Sequence, residues 1–268
     1  MKLHSRSGEA GKGGRRSLNL ALSPGQQAGV MKKAGVVVIH PTSYTAPMNS
    51  FDRHDRFLAI GLSALAGYVD AIGFLATGGF FVSFMSGNST RLGVGIAEIS
   101  GNAAVAAMLI GCFLVGVIAG SLIGRVAGNR HREIVPLLLT GLLAGAALLG
   151  DIHQLWPSAI LMAVAMGVEN IFFAEGTDVR IGVTYMTGRL VKIGQLLAAA
   201  LAGEDHWGWV PHLLLWSGLL GGGAAGAVAF LAIGSDALWI AALAALAIAV
   251  IARRPRLMAD KHDDPAEA

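Results

Sequence analysis

Five ionisable side chains lie inside apolar stretches of this sequence: Asp70, Arg91, Glu169, Arg189 and Lys192. An ionisable residue is costly inside a membrane span, so each of the five is a candidate for a functional site. The cations would hold an anionic or zwitterionic solute, together with backbone N–H groups at the starts of broken helices. A carboxylate such as Asp70 or Glu169 would take up and release a proton as the coupling ion.

Small and hydrogen-bonding residues accompany these charges. Gly87 lies four residues before Arg91, and Gly188 lies four residues before Lys192. On a helix each glycine would share a face with its cation, which leaves room for a solute to approach the charge. The hydrogen-bonding candidates for the same site are Ser86, Asn88, Asn170, Thr184 and Thr187.

The same charges have a structural alternative that does not exclude the first. Asp70 would form an ion pair with Arg91. Glu169 would pair with Arg189 or Lys192, so that ion pairs fasten interrupted helices into a closed core. Asparagine and threonine also serve as hydrogen-bonding links between membrane helices.

Chemistry other than solute binding has little support in the sequence. The serines of these segments lack a histidine within an apolar stretch to act as a base, since His153 and His206 lie in loops. No histidine pair has metal-ligand spacing, and no stripe of Lys and Arg alternates with aromatic residues. We therefore expect no catalytic residue, no metal, no cofactor and no nucleic-acid partner.

The composition identifies lipid as the main solvent of the chain. Of 268 residues, 54% are hydrophobic and only 14% are charged, whereas a soluble domain carries roughly 25% charged residues. The mean hydropathy is +0.61. Eight apolar stretches, most of them near the roughly 20 residues that a crossing helix needs, are 57–76, 80–97, 103–126, 134–150, 156–174, 181–202, 210–233 and 237–252. They lack the alternation of barrel strands and predict an all-α, polytopic helical membrane protein.

Basic residues indicate how many stretches cross the membrane. They cluster before the first stretch, between the third and fourth, and after the last: Arg53 and Arg56; Arg125, Arg130 and Arg132; Arg253, Arg254 and Arg256. If stretches one and two make a single net crossing, and five and six do likewise, all three clusters and both termini are cytoplasmic. We therefore predict six crossings, with a broken, tilted or re-entrant segment in each pair.

The sequence also nearly repeats itself. GYVD at 67–70 is echoed by GVEN at 167–170, and MSGN at 85–88 is echoed by MTGR at 186–189. With three crossings in each half, repeats spanning 57–152 and 156–252 would enter the bilayer from opposite sides. Inverted repeats with polar interrupted segments are how many transporters are built.

Two glycine ladders belong to the same repeat: Gly116, Gly120 and Gly124, then Gly218, Gly222 and Gly226. Small residues at a spacing of four let helices approach closely in a bilayer. The ladders therefore predict a close contact between the two halves, or a homodimer face.

The two ends differ from the membrane domain, which we assign to 51–252. Residues 1–50 are polar, basic and rich in Gly and Ser, so we expect them to be disordered. Met48 is an alternative start of the protein. Residues 253–268 form a charged tail that we expect in the cytoplasm.

Two strings in the first half, GYVDAIGF at 67–74 and FMSGNSTRLG at 84–93, resemble the YoaK-like family of bacterial inner-membrane proteins, known as domain of unknown function 1275. TYMTGRL at 184–190 is similar to that family's second signature, with Arg189 where members often carry asparagine. The resemblance covers about 57–252 and implies a multi-pass protein of the bacterial inner membrane, without an activity.

The residues and the architecture together predict a secondary transporter of a small anionic or zwitterionic solute. The alternative is a non-transporting membrane scaffold or sensor whose buried charges hold it shut. The expected partners are the lipid bilayer and the solute.

Overall fold

The computed structural model describes residues 53–173 and 185–253, together with short strand pairs outside those ranges. Most of the predicted disordered segment 1–50, the start at Met48, the tail after Arg253 and the site candidate Thr184 lie outside the described residues.

Contacts divide the chain into two units, Met1–Ser43 and Tyr44–Ala268. In the first unit, strand β1 (Lys32–Lys33) pairs antiparallel with β2 (Val36–Val37). The second unit contains the helices and a second antiparallel pair, β3 (Ala174–Glu175) with β4 (Asp178–Val179).

The described residues of the second unit form eight α-helices. They are α1 (Arg53–Ala76), α2 (Met85–Ala97), α3 (Asn102–Ala127), α4 (His131–Asp151), α5 (Leu155–Glu169), α6 (Met186–Leu201), α7 (Val210–Ile233) and α8 (Ala237–Ala252). Single 3-10 turns, Gly128–Arg130 and Gly234–Asp236, join α3 to α4 and α7 to α8. The prediction of an all-α protein is confirmed.

Several of these helices are long and apolar enough to cross a membrane. Within the described residues the candidate spans are α1, α3, α4 and the continuous segment Val210–Ala252, which contains α7 and α8, while α5 is shorter. α2 and α6 have only 13 and 16 residues, fewer than the roughly 20 that a crossing needs. The chain is therefore a multi-pass membrane protein whose spanning helices contact lipid.

Contacts between helix ends show which ends lie together. Arg132, at the start of α4, forms an ion pair of 2.8 Å with Asp55, at the start of α1. At the opposite end of α4, Asp151 accepts a hydrogen bond from the Trp239 indole of α8 at 3.1 Å. The first and middle arginine clusters are thus at the same end of the helices, as six crossings require and eight do not.

The chain reverses direction between α1 and α2. Gly78 and Gly79 have φ angles of 73° and 115°, which residues with a Cβ rarely adopt. Val82 then packs against Gly73, which lies nine residues earlier in α1. Residues 77–84, which we call the return segment, therefore run back along the end of α1, and α2 begins beside Asp70 and Gly73 rather than beyond α1.

Ladder glycines bring α3 against α5 and α7 against α1. A Cβ on Gly116 would overlap the carbonyl of Val164, and a Cβ on Gly222 would overlap the carbonyl of Ala64. Only a residue without a side chain allows helices to approach this closely. Because these glycine faces are covered within one chain, the predicted homodimer would need another surface.

The structure aligns the two glycine ladders with a shift of one helical turn from the alignment that the sequence repeat predicts. The sequence repeat matches Gly116 with Gly218. In the structure Gly116 packs on the carbonyl of Val164, and its counterpart is Gly222, which packs on the carbonyl of Ala64. Gly128 and Gly234, with φ angles of 53° and 61°, keep the same spacing of 106 residues. Insertions before α7 account for the shift, because α6 is three residues longer than α2 and a longer connection follows it.

Candidate functional site

A cavity of about 490 Å³ lies where the starts of α2 and α6 meet α3 and the residues after α5. We call it the motif cavity. It is lined by Ser83, Phe84, Met85, Ser86, Phe113, Val117, Asn170, Ile171, Tyr185, Met186, Thr187 and Gly188. Four of the predicted site residues are among them: Ser86, Asn170, Thr187 and Gly188. The two motif segments, a hundred residues apart in sequence, thus share one cavity.

Both helices that begin at the motif cavity lack a side-chain cap. Phe84 and Tyr185 occupy their N-cap positions, and neither helix start has a side-chain cap hydrogen bond. The first N–H groups of a helix have no intrahelical partner, and the helix dipole gives that end a partial positive charge. At α2 the amides of Met85 and Gly87 already donate to the carbonyls of Ser83 and Phe84, so the helix dipole is the main feature of that start that suits an acidic group. None of the residues that line the cavity is charged.

Asp70 anchors the return segment and does not line the cavity. Its Oδ1 accepts hydrogen bonds from the backbone amides of Val82 and Ser83 at 2.8 and 2.7 Å. Asp70 and Arg91 form no ion pair, so that predicted pairing is wrong. Non-helical backbone at membrane depth needs partners within the protein, and the Asp70 carboxylate provides one immediately before α2.

Asn88 fastens the same segment. Its buried side-chain amide accepts the N–H of Phe81 at 3.0 Å and donates to the Phe81 carbonyl at 2.6 Å. At the neighbouring Gly87, a Cβ would come within 2.6 Å of the Phe84 ring and 2.8 Å of the Phe81 ring. The space at Gly87 is therefore filled by aromatic side chains, whereas a Cβ on Gly188 would meet no atom of a described residue within 4 Å.

Arg91 and Lys192 also lie outside the motif cavity. The guanidinium carbon of Arg91 is 4.9 Å from the ring centre of Phe80 and 6.0 Å from that of Phe74, which is cation–π geometry. Lys192 is exposed. The two cations that the sequence repeat makes equivalent thus have different surroundings, and neither reaches a solute in this cavity.

Arg189 holds α6 against α7. It is buried, and its Nη1 donates to Nδ1 of the buried His212 at 3.2 Å. Because a guanidinium has only donors, the imidazole nitrogen is the acceptor. His212 lies in the third position of α7, so the expectation of no histidine within an apolar stretch is wrong. Its partner is an arginine, however, which does not create a serine–histidine pair.

Glu169 is buried, and no described residue is its partner. Neither carboxyl oxygen forms a hydrogen bond with any described residue, so neither of its predicted ion pairs is formed. The next residue, Asn170, donates to the Met166 carbonyl at 2.9 Å and lines the motif cavity. Burying a carboxylate without a partner is costly, which favours the protonated, neutral form of this side chain.

The apolar part of the lining was not predicted from the sequence. Phe113 and Val117 lie on the face of α3 that the ladder glycine Gly116 turns toward α5, and their backbone packs on Gly167. The position of a ladder glycine in the sequence therefore predicts that its neighbours on the same helix face lie against the other half. This pattern would have identified Phe113 and Val117.

Fold and site together define a polytopic helical membrane protein in which two short helices without side-chain caps start at one cavity. A family model described as "Protein of unknown function (DUF1275)" matches residues 58–251, and the chain belongs to that family. The family resemblance carried by 67–93 and 184–190 is thereby confirmed.

The chain is similar to a UPF0700 transmembrane protein of Rhizobium meliloti (strain 1021). That relative is 36% identical to this chain over 196 residues, which is 73% of the chain and 84% of the relative. No solved structure matches the chain.

Proposed function

We propose that this protein is a secondary transporter of a small anionic or zwitterionic solute in the bacterial inner membrane. The observation that carries the proposal is the motif cavity, because both motif segments begin a helix at it. Its volume of about 490 Å³ falls in the range of roughly 300–1,000 Å³ that is usual for small-molecule sites.

The proposed architecture is a pair of inverted repeats, which supports alternating access around that cavity. Gly67 of α1 packs on the backbone of Leu219 in α7, and Gly167 of α5 packs on the backbone of Phe113 in α3. Each half thus gives its first helix to the third helix of the other half. With the arginine clusters facing the cytoplasm, both termini lie there as well.

The lining indicates what kind of solute would bind. An acidic group would be held by the uncapped helix starts, with the hydroxyls of Ser86 and Thr187 and the amide of Asn170 as further hydrogen-bonding groups. Phe84, Phe113 and other apolar side chains would contact a hydrocarbon part of the same molecule. A small organic acid or an amino acid has both features.

Glu169, rather than Asp70, is the proposed proton carrier. The Asp70 carboxylate is occupied by two backbone amides of the return segment. The Glu169 carboxyl group has no partner in the described part of the chain and adjoins Asn170 in the cavity lining. A buried carboxyl group that is neutral in one state of the protein and ionised in another is how proton relays in transporters are built.

The second candidate is a membrane scaffold or sensor that moves no solute. It is favoured by the framework contacts of Asp70, Asn88 and Arg91, each of which stabilises the return segment or the residues around it. In that case the motif cavity would bind a ligand, or none, without passing it across the membrane.

A thermal-shift screen of purified protein against small carboxylates, amino acids and phosphate esters tests the proposal. A ligand of the native state at 100 times its Kd stabilises it by about 2.7 kcal/mol. We expect a hit to shift the wild type and Gly141→Leu equally, since Gly141 is an exposed position of α4 with open space around its Cα. Gly188→Leu, which fills the motif cavity, should lose the shift. Absence of any hit, or an equal shift in Gly188→Leu, contradicts the proposal.

A further inference from the structure

A second cavity lies at the turn between α3 and α4, away from the motif cavity. It has a volume of about 450 Å³ and is lined by Leu122, Ile123, Val126, Ala127, Arg130 and Ile134. We call it the turn groove. Apart from Arg130, every residue of its lining is apolar.

No described part of the chain covers the apolar side chains of the turn groove. Leu122 is 58% exposed and Val126 is 91% exposed, although both belong to a membrane-spanning helix. The groove is formed by the last turns of α3 and the first turn of α4, which places it at the membrane–water interface. We therefore expect these side chains to contact lipid.

The charge beside the groove is not neutralised by the protein. Arg132 is engaged with Asp55, but Arg130 is exposed and, within the described residues, forms no ion pair. Arg125, one residue before Val126, is likewise exposed and unpaired among them. An exposed guanidinium next to an apolar groove offers a phosphate and an acyl chain complementary surfaces at the same place.

The corresponding turn between α7 and α8 does not have this combination. Gly234 repeats the positive φ of Gly128, but Asp236 stands 106 residues after Arg130 and reverses the charge. The basic feature is therefore present at the turn between α3 and α4 and is missing from the turn between α7 and α8. Basic pockets between helices at the cytoplasmic face are sites for acidic headgroups.

We infer that the turn groove binds an anionic phospholipid, with the phosphate at Arg130 and an acyl chain on Leu122, Val126 and Ile134. This site is independent of the proposed transport activity. Phosphatidylglycerol has both required parts, whereas phosphatidylcholine carries a compensating positive charge on its headgroup.

Native mass spectrometry of the full chain, titrated with phosphatidylglycerol and phosphatidylcholine, tests the inference. We expect preferential retention of phosphatidylglycerol and an affinity lowered about fivefold in Arg130→Gln, the effect of one basic residue at a membrane surface. Arg253→Gln removes the same charge at the exposed end of α8 and is the matched control, expected to leave the affinity unchanged.

Each other outcome overturns the inference. Equal retention of the two lipids removes the headgroup preference. An equal loss in Arg130→Gln and Arg253→Gln indicates a response to overall charge. If millimolar inorganic phosphate displaces bound phosphatidylglycerol as effectively as the free lipid does, the site binds an anion and the apolar groove plays no part. Arg130 is exposed and unpaired among described residues, so its replacement should not prevent folding.

Discussion

Asp70→Ala is expected to destabilise the protein by about 3 kcal/mol or more, since a hydrogen bond to a charged group contributes roughly 1.5–3 kcal/mol. The substitution removes the acceptor for the amides of Val82 and Ser83. Neither amide belongs to a helix, so neither gains a replacement partner within lipid. Unfolding followed by tryptophan fluorescence in detergent, with denaturant, measures the loss.

The matched control for this prediction is Asp70→Asn, which keeps an oxygen where Oδ1 accepts both hydrogen bonds. We expect it to retain most of the stability that Asp70→Ala loses, and to leave proton coupling intact. If Asp70→Ala is as stable as the wild type, the anchoring role is wrong. If Asp70→Asn folds normally but uncouples transport, Asp70 rather than Glu169 carries the proton.

Glu169→Gln is expected to remove a protonated carboxyl group from the core of the protein at neutral pH. Both oxygens of Glu169 are buried and lack partners among the described residues, and the ionised form would be unpaired in an apolar environment. A protonated carboxyl group has a carbonyl stretching band distinct from that of a carboxylate. The wild-type infrared spectrum should contain this band, shifted in deuterium oxide, and the Glu169→Gln spectrum should lack it.

Glu133→Gln is the control for that experiment, because Glu133 is exposed to solvent in the first turn of α4. Its replacement should leave the protonated-carboxyl band unchanged. In proteoliposomes, Glu169→Gln should lower proton-driven accumulation of the identified solute at least about tenfold, while solute exchange continues. A wild type without the band, or a Glu169→Gln variant with full accumulation, contradicts the assigned role.

The arrangement of the helices could be predicted from the sequence because hydrophobic length and arginine placement are strong signals. Every predicted apolar stretch overlaps one helix. The second members of the two pairs, α2 and α6, are short at 13 and 16 residues, although α5 and α8 are as short, at 15 and 16 residues. The apolar stretch 80–97 begins five residues before α2, which starts at Met85. Apolar composition alone does not distinguish a helix from the non-helical chain that precedes it.

The partners of the buried charges could not be predicted, because they depend on how the chain turns between helices. The structural alternative for the buried charges paired Asp70 with Arg91. The return segment instead brings backbone amides to Asp70, and the rings of Phe74 and Phe80 to Arg91. Reversal at Gly78 and Gly79 is a backbone event that spacing rules for continuous helices do not describe.

The difference between Gly87 and Gly188 was, by contrast, available in the sequence. Both glycines hold the same motif position, yet only Gly188 lines the cavity. The ring of Phe81 packs on Gly87, while the residue 101 positions after Phe81 is Gly182, which has no side chain. Comparing the residues that precede each motif would have predicted the open space in the second half.

Cysteine labelling at position 188 tests the central claim most directly, namely that the two motif helices enclose a hydrated cavity. In a Cys112→Ser background, Gly188→Cys in membrane vesicles should react with a hydrophilic maleimide, and a solute identified by thermal shift should protect it. Gly87→Cys, packed against rings, and Gly141→Cys, exposed on a spanning helix, should stay unreactive. A Gly188→Cys variant that folds but stays inert under all conditions would contradict the account.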